Sequence, residues 1–140
     1  MVLFGNKVVT VFNKHFDAIT EEETWIPTVL NNVNLSITRG ANVEKTGLES
    51  ADTCKLFVDS TATEKSYIAP IEWNKKTFDE KSNFYTFGNE DFFVEGDLSE
   101  VTILDSNFLE WMMSHYDNVF RVTTIDRYVD VLPHLEVGGK

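Results

Sequence analysis

Val33-Asn-Leu-Ser-Ile-Thr38 alternates without a break, with Val33, Leu35 and Ile37 on one side and Asn34, Ser36 and Thr38 on the other. Only an extended strand sorts side chains with a period of two, so this segment is a strand with one face in a core and one in water. Residues 7–16, Lys-Val-Val-Thr-Val-Phe-Asn-Lys-His-Phe, are β-branched and aromatic but alternate less cleanly. That is the pattern of a strand covered on both faces for part of its length. The acidic Thr20-Glu-Glu-Glu23 then separates it from Trp25 to Leu30, which makes a hairpin with a solvated tip. Pro27 has no amide hydrogen to give, which places the second strand at an edge or on a bulge.

Cys54, Leu56 and Val58 share one face of a further strand, and residues 84–87 and 92–95 read as two short strands turned by Gly88-Asn89, a dipeptide suited to positive φ. One segment makes a convincing helix, over about residues 106–116. Asp105 or Ser106 can cap it, and Phe108, Leu109, Met112, Met113 and Tyr116 recur as the stripe a helix lays on a core. Residues 120–125 and 132–137 are two final strands, and Gly138-Gly139-Lys140 is expected to fray. Residues 39–52 and 60–82 hold no sustained period and read as long loops; within the second, Pro70 can open a short helix, where its missing donor is not needed. With no βαβ alternation and no internal repeat, the expected fold is mainly β: a small antiparallel β-barrel or sandwich with one packed helix and long loops. The 140 residues fit a single domain, 1–140, and the 11 Phe among them point to a core of large flat side chains.

Charge narrows the function. Twelve basic against 23 acidic residues give a net charge of -11, and the longest basic cluster is Lys75-Lys76. Nucleic-acid and anionic-membrane binding both need clustered cations, so neither is expected. No stretch approaches the roughly 18 apolar residues of a spanning helix, and Met1 to Lys7 lacks the layout of a secretory signal. Cys54 is the single cysteine, which forbids an internal disulfide; its apolar neighbours make it a buried small hydrophobe rather than a nucleophile. His15, His115 and His134 form no short-range pair, so no metal site is expected, nor any cofactor. His115 follows Trp111 by one helical turn and reads as an interfacial imidazole beside an aromatic; His134 reads as hydrogen-bonded to a neighbouring strand. Glu90, Asp91, Glu95 and Asp97 flank Phe92-Phe-Val94 and read as gatekeepers against aggregation. No catalytic residue is assigned. A site using His115, His134 and Asp97 is the remote alternative, in a ligand-binding or hydrolytic barrel.

Three stretches carry a resemblance: Pro27-Thr-Val-Leu-Asn-Asn-Val-Asn-Leu-Ser-Ile-Thr-Arg-Gly40 with Thr46-Gly-Leu-Glu-Ser-Ala-Asp52; Tyr67-Ile-Ala-Pro-Ile-Glu-Trp73 leading to Asp91-Phe-Phe-Val-Glu-Gly-Asp97; and His115-Tyr-Asp-Asn-Val-Phe120 to Pro133-His-Leu-Glu-Val-Gly-Gly139. Together they resemble a family of tailed-bacteriophage proteins of the head-tail morphogenesis module, and more broadly minor-capsid and head-closure (stopper) proteins. The resemblance implies a virion structural protein, made in the host bacterial cytoplasm, that self-associates in a ring against portal, adaptor and tail-proximal proteins. DNA passes through such a ring without specific binding. A tail-terminator or tail component of the same module is the alternative. Like charge on every copy favours a monomer in dilute solution until a neighbouring ring offers a surface. The two long loops hold apolar residues with no obvious local core to fill, so Tyr67, Ile68, Trp73, Phe78, Val43 and Leu48 are the expected partner interface, the alternative being that Trp73 and Phe78 simply cap the barrel.

Overall fold

The computed structural model describes residues 5–38, 53–59, 61–101, 108–129 and 133–140. Along the chain run β1 (Lys7–Asp17), β2 (Glu22–Thr38), β3 (Thr53–Asp59), β4 (Ser66–Tyr67), α1 (Pro70–Asn74), a 3-10 turn (Glu80–Asn83), β5 (Phe84–Tyr85), β6 (Phe92–Glu95), α2 (Phe108–His115), β7 (Val119–Tyr128) and β8 (His134–Gly139). Six strands close on themselves in the order β1-β2-β3-β8-β7-β6, every neighbour antiparallel, with β6 completing the circle on β1. Of the two expected architectures, the barrel is therefore the one formed. β4 and β5 make a separate parallel pair.

Closure requires a strand long enough to serve two partners and bent enough to turn between them. β2 does this in 17 residues. Its first part pairs with β1 and its last five residues with β3. Between them, Lys7 and Val9 of β1 face Val33 and Leu30 of β2, so β2 carries one extra residue, and Asn32 sits at φ 56°. Asparagine tolerates this left-handed conformation, and a bulge bends a strand locally. The two strands expected over 25–30 and 33–38 are thus one bulged strand. Pro27 pairs with Phe12 while its carbonyl accepts from Lys65 Nζ on the far side, so its missing donor faces away from β1, as the edge reading required.

Alternation then sorts two cores. Val9, Val11, Leu30, Val33, Leu56, Val58, Phe93, Phe120 and Val137 fill the barrel interior. Phe12, Phe92, Val94 and Val119 point outward and are covered by Phe108 and Met112 of α2. Phe12 stacks on Phe92 at 5.1 Å between centroids and meets Phe108 edge-on at 5.2 Å. β1 and β6 are consequently buried on both faces, which accounts for the weak alternation of residues 7–16. The described part of the helix is Phe108–His115; residues 102–107, including the proposed caps, lie outside those described. Met113, placed in the apolar stripe by spacing, is 44% exposed.

Two further expectations are corrected. Residues 84–87 and 92–95 do not pair; β5 pairs with β4, and residues 88–91 form a turn closed by the Asp91 amide on the Gly88 carbonyl (3.0 Å). Neither Gly88 nor Asn89 is left-handed; among the described glycines only Gly96 is, at φ 109°, where the chain leaves β6. Nor does the end fray. Gly138 and Gly139 lie in β8 between β3 and β7, and Lys140 exchanges both backbone hydrogen bonds with Arg121. A Cβ at Gly139 would stand 2.7 Å from Cys54 Sγ and 2.9 Å from Phe93 Cζ, so glycine is required by space. Gly139→Ala should therefore destabilise by about 1–3 kcal/mol through overpacking, read as a lower urea midpoint. On α2, Met112→Ala should cost about 2–5 kcal/mol while Met113→Ala stays within about 0.5 kcal/mol, since only the first side chain is enclosed.

Candidate functional site

Antiparallel closure puts the ends of β1, β3 and β7 and the starts of β2, β6 and β8 at one end of the barrel. The chain between β3 and β6 leaves from that end and returns to it, so residues 61–91 form a cap there. Ala62, Tyr85 and Phe87 of the cap join the interior cluster, and the Asn31 amide donates to the Ala62 carbonyl at 2.8 Å. The segment expected to be a loop without a core of its own is thus anchored in the barrel's core.

A cleft of about 520 Å³ opens where cap, β1 and β2 meet, lined among others by Lys14, Glu23, Trp73, Lys81, Glu90 and Asp91. Asp91 holds its floor. Its carboxylate accepts from the Lys14 amide (3.0 Å), the Gly88 amide (2.7 Å) and Asn13 Nδ2 (3.0 Å), and the side chain is 5% exposed. Asn13 also ties the Thr86 backbone, donating to its carbonyl at 2.6 Å and accepting from its amide at 3.3 Å. The expected gatekeeper is therefore an inward-facing clamp between β1 and the cap. Burial pushes its carboxyl up to about 6 against the opposing pull of the three N–H donors.

Lys81 forms the opposite wall and is 4% exposed. Its ammonium lies 2.8 Å from His15 Nδ1 and 4.9 Å from the centre of the Trp73 ring, whose Nε1 donates to the Lys14 carbonyl (3.1 Å). Burial lowers the Lys81 pKa and, with the Lys81 charge, lowers that of His15. At the mouth, Lys14 Nζ bridges Glu23 (3.1 Å) and Glu90 (3.3 Å). Burial disfavours its charge, but the two carboxylates outweigh that and raise its pKa.

A second cleft of about 340 Å³ lies at the same end, between residues 58–59 and 63–67, the end of β7 and the start of β8. There Tyr128 stacks on His134 at 4.8 Å, His134 Nε2 lies 2.9 Å from Glu136 of its own strand, and Arg127 stands 5.5 Å over the Tyr67 ring.

The residues expected at a partner interface divide. Phe78 is exposed, beside His15 at 5.0 Å between ring centres. Tyr67 and Ile68 are half-buried, Tyr67 against Tyr85 and Phe87. Trp73 is only 3% exposed and points into the molecule, so its ring presents no surface to a neighbour. Val43 and Leu48 lie outside the described residues. His115, Asp97 and His134 do not converge: His134 starts β8 at the capped end, whereas Asp97 follows β6 and His115 precedes β7 at the other. His115 stacks on Trp111 at 4.0 Å, as its spacing implied. Cys54 is buried and its thiol is pushed up to about 12, which suits a packing role. Among the described residues no three His, Cys, Asp or Glu side chains gather to hold a metal ion, and no helix is long and apolar enough to cross a membrane.

The fold and its capped end define a closed six-stranded antiparallel β-barrel with two short helices, plugged at one end by an internal segment. The chain belongs to DUF6751, a family of unknown function whose model matches residues 4–140. Nothing among curated proteins and nothing among solved structures matches it.

The Asp91 clamp generates a pH dependence of definite sign. Its folded pKa stands near 6 and its ordinary value is 3.8, so between these the folded state binds the proton more tightly than the unfolded one. The contribution to stability is full below about pH 4 and is lost as pH rises through about 6, a change on the order of 3 kcal/mol. Urea unfolding from pH 4 to 7 should show the wild type losing stability relative to Asp91→Asn. Parallel curves would contradict the assignment.

Proposed function

We propose that this barrel is a structural protein of a bacteriophage virion, a head-closure (stopper) or minor capsid component of the head-tail connector that assembles as a ring. It acts by contact, without catalysis. The resemblance of its sequence over nearly the whole chain motivates the reading, and one structural observation carries it. Of the seven large hydrophobic side chains that stay exposed among the described residues, Phe16, Ile19, Ile71, Phe78, Tyr128 and Val129 all sit at the capped end; Met113 on α2 is the seventh. Scattered apolar residues on a surface need no explanation, but their concentration at one end marks a contact face. A connector subunit must grip the ring before or after it along the particle axis, and a barrel with one apolar end supplies such a grip. The high charge of each copy keeps free subunits apart until that grip is made, because repulsion between exposed charges acts over roughly 8–10 Å at physiological salt.

In a phage whose genome encodes this chain, deletion of the gene should leave heads that package DNA and then leak it or fail to join tails, visible by electron microscopy of lysates. Complete infectious particles, or arrest before procapsids form, would overturn the connector reading.

A further inference from the structure

We infer that the capped end of the barrel, around the Lys14–Glu23–Glu90 mouth of the larger cleft, docks a cationic and apolar protein segment, with arginine beside aliphatic side chains. The inference rests on the connector reading and names the chemistry of the partner.

Two observations coincide there. The first is apolar surface: Ile19, 94% exposed at the tip of the β1–β2 hairpin, shares this end of the barrel with exposed Phe16, Ile71 and Phe78, and Phe16 and the Pro70 that precedes Ile71 line the cleft. The second is the sign of the charge around it. The hairpin from Asp17 to Glu23 holds four carboxylates and no basic residue; Glu72, Asp79, Glu80 and Glu90 add acid across the cap, where Lys75, paired with Glu72 at 4.0 Å, and Lys76 offset only part of it, so the rim stays net acidic. An apolar centre with a charged rim is the anatomy of a protein-protein interface.

The rim also excludes other occupants. A second copy facing the same end would bring acid against acid, and an anionic lipid surface or nucleic acid would meet the same repulsion. At the mouth Lys14 pairs with Glu23 and Glu90 at 3.1 and 3.3 Å, and the Glu90 side chain, 69% exposed, still faces water where a partner's cation can reach it. A guanidinium from a partner matches a carboxylate pair better than an ammonium does, because its planar fork donates to two oxygens at once. Asp91 takes no part, since its oxygens are engaged by β1 and the turn at Gly88.

The test uses the full chain labelled for amide NMR and three synthetic peptides: alternating leucine and arginine, serine and arginine, and leucine and glutamate. The leucine-arginine peptide should shift amides within residues 14–23 and 70–91. It should bind about tenfold or more tightly than the serine-arginine peptide, the margin expected of one or two buried aliphatic side chains. The leucine-glutamate peptide should not bind. Phe16→Ser with Ile71→Ser, both on exposed side chains, should keep the melting temperature and lose that margin. Glu22→Gln with Glu72→Gln should weaken binding and flatten its salt dependence. Shifts spread over the barrel wall, equal binding of the two arginine peptides, or titration of this end by a second copy would each overturn the inference. The outcome separates from that of gene deletion: peptide binding at this end together with infectious deletion particles removes the connector role and keeps the surface. Tailless particles with no peptide binding do the reverse.

Discussion

β1 is paired along both edges and covered on both faces between Val9 and Phe12, and every other part of the molecule is placed by that fact. Its edges go to β2 and β6, closing the barrel. Val9 and Val11 point into the interior and Phe12 out toward α2, so one strand joins the two cores. Its last third, Asn13 to His15, carries the polar groups that hold the cap. A polar group with no water around it must be paired or it destabilises the fold, so such residues survive in a buried strand only where partners converge on them. Asp91, Thr86 and Lys81 are those partners. The interior, the outer helix and the cap are therefore coupled through seven consecutive residues of one strand, Val9 to His15.

The cap explains how a barrel this small avoids an open end. Residues 61–91 return to the end from which they left and push Ala62, Tyr85 and Phe87 into the interior, where they pack with Phe93. Two charged side chains, Asp91 and Lys81, stand buried on either side of the join without an ion pair between them. Each is instead engaged by neutral donors, acceptors or a ring.

Much of this was legible in the residues. Period-two alternation announced the strands and the inward set Cys54, Leu56 and Val58, the blurred alternation of β1 announced its double burial, and the stripe on residues 108–116 announced the helix. Other features leave no local trace. Gly138 and Gly139 look like a loose end because glycine has no side chain whose polarity could report burial, yet Cys54, Phe93 and Phe120 leave no room there for a Cβ. Asp91 looks like a surface charge because only the tertiary fold brings the Lys14 and Asn13 donors to it across more than 70 residues. Met113 matched the helical stripe, but the buried face of α2 is carried by Phe108 and Met112 and leaves Met113 in water. The cleft was invisible for the same reason as Asp91: Lys14, Trp73 and Lys81 are remote in sequence and meet only when the cap folds down. The one available hint was the polar run Asn13-Lys-His15 interrupting an otherwise apolar strand.

The position of β8 has a consequence for how the chain comes into being. It stands between β3 and β7, yet its partner residues Cys54 to Asp59 are made long before it. The β1–β2 hairpin can form as it leaves the ribosome, but β3 must wait with one edge unpaired until residues 134–139 emerge. Pairings between strands so distant in sequence are slow to form, and an unpaired edge invites strands from other chains. During synthesis the vulnerable species is thus the chain that exposes the edge of β3 before residues 134–139 emerge, and Lys55 and Asp59 on that strand are charges of the kind that guard such an edge.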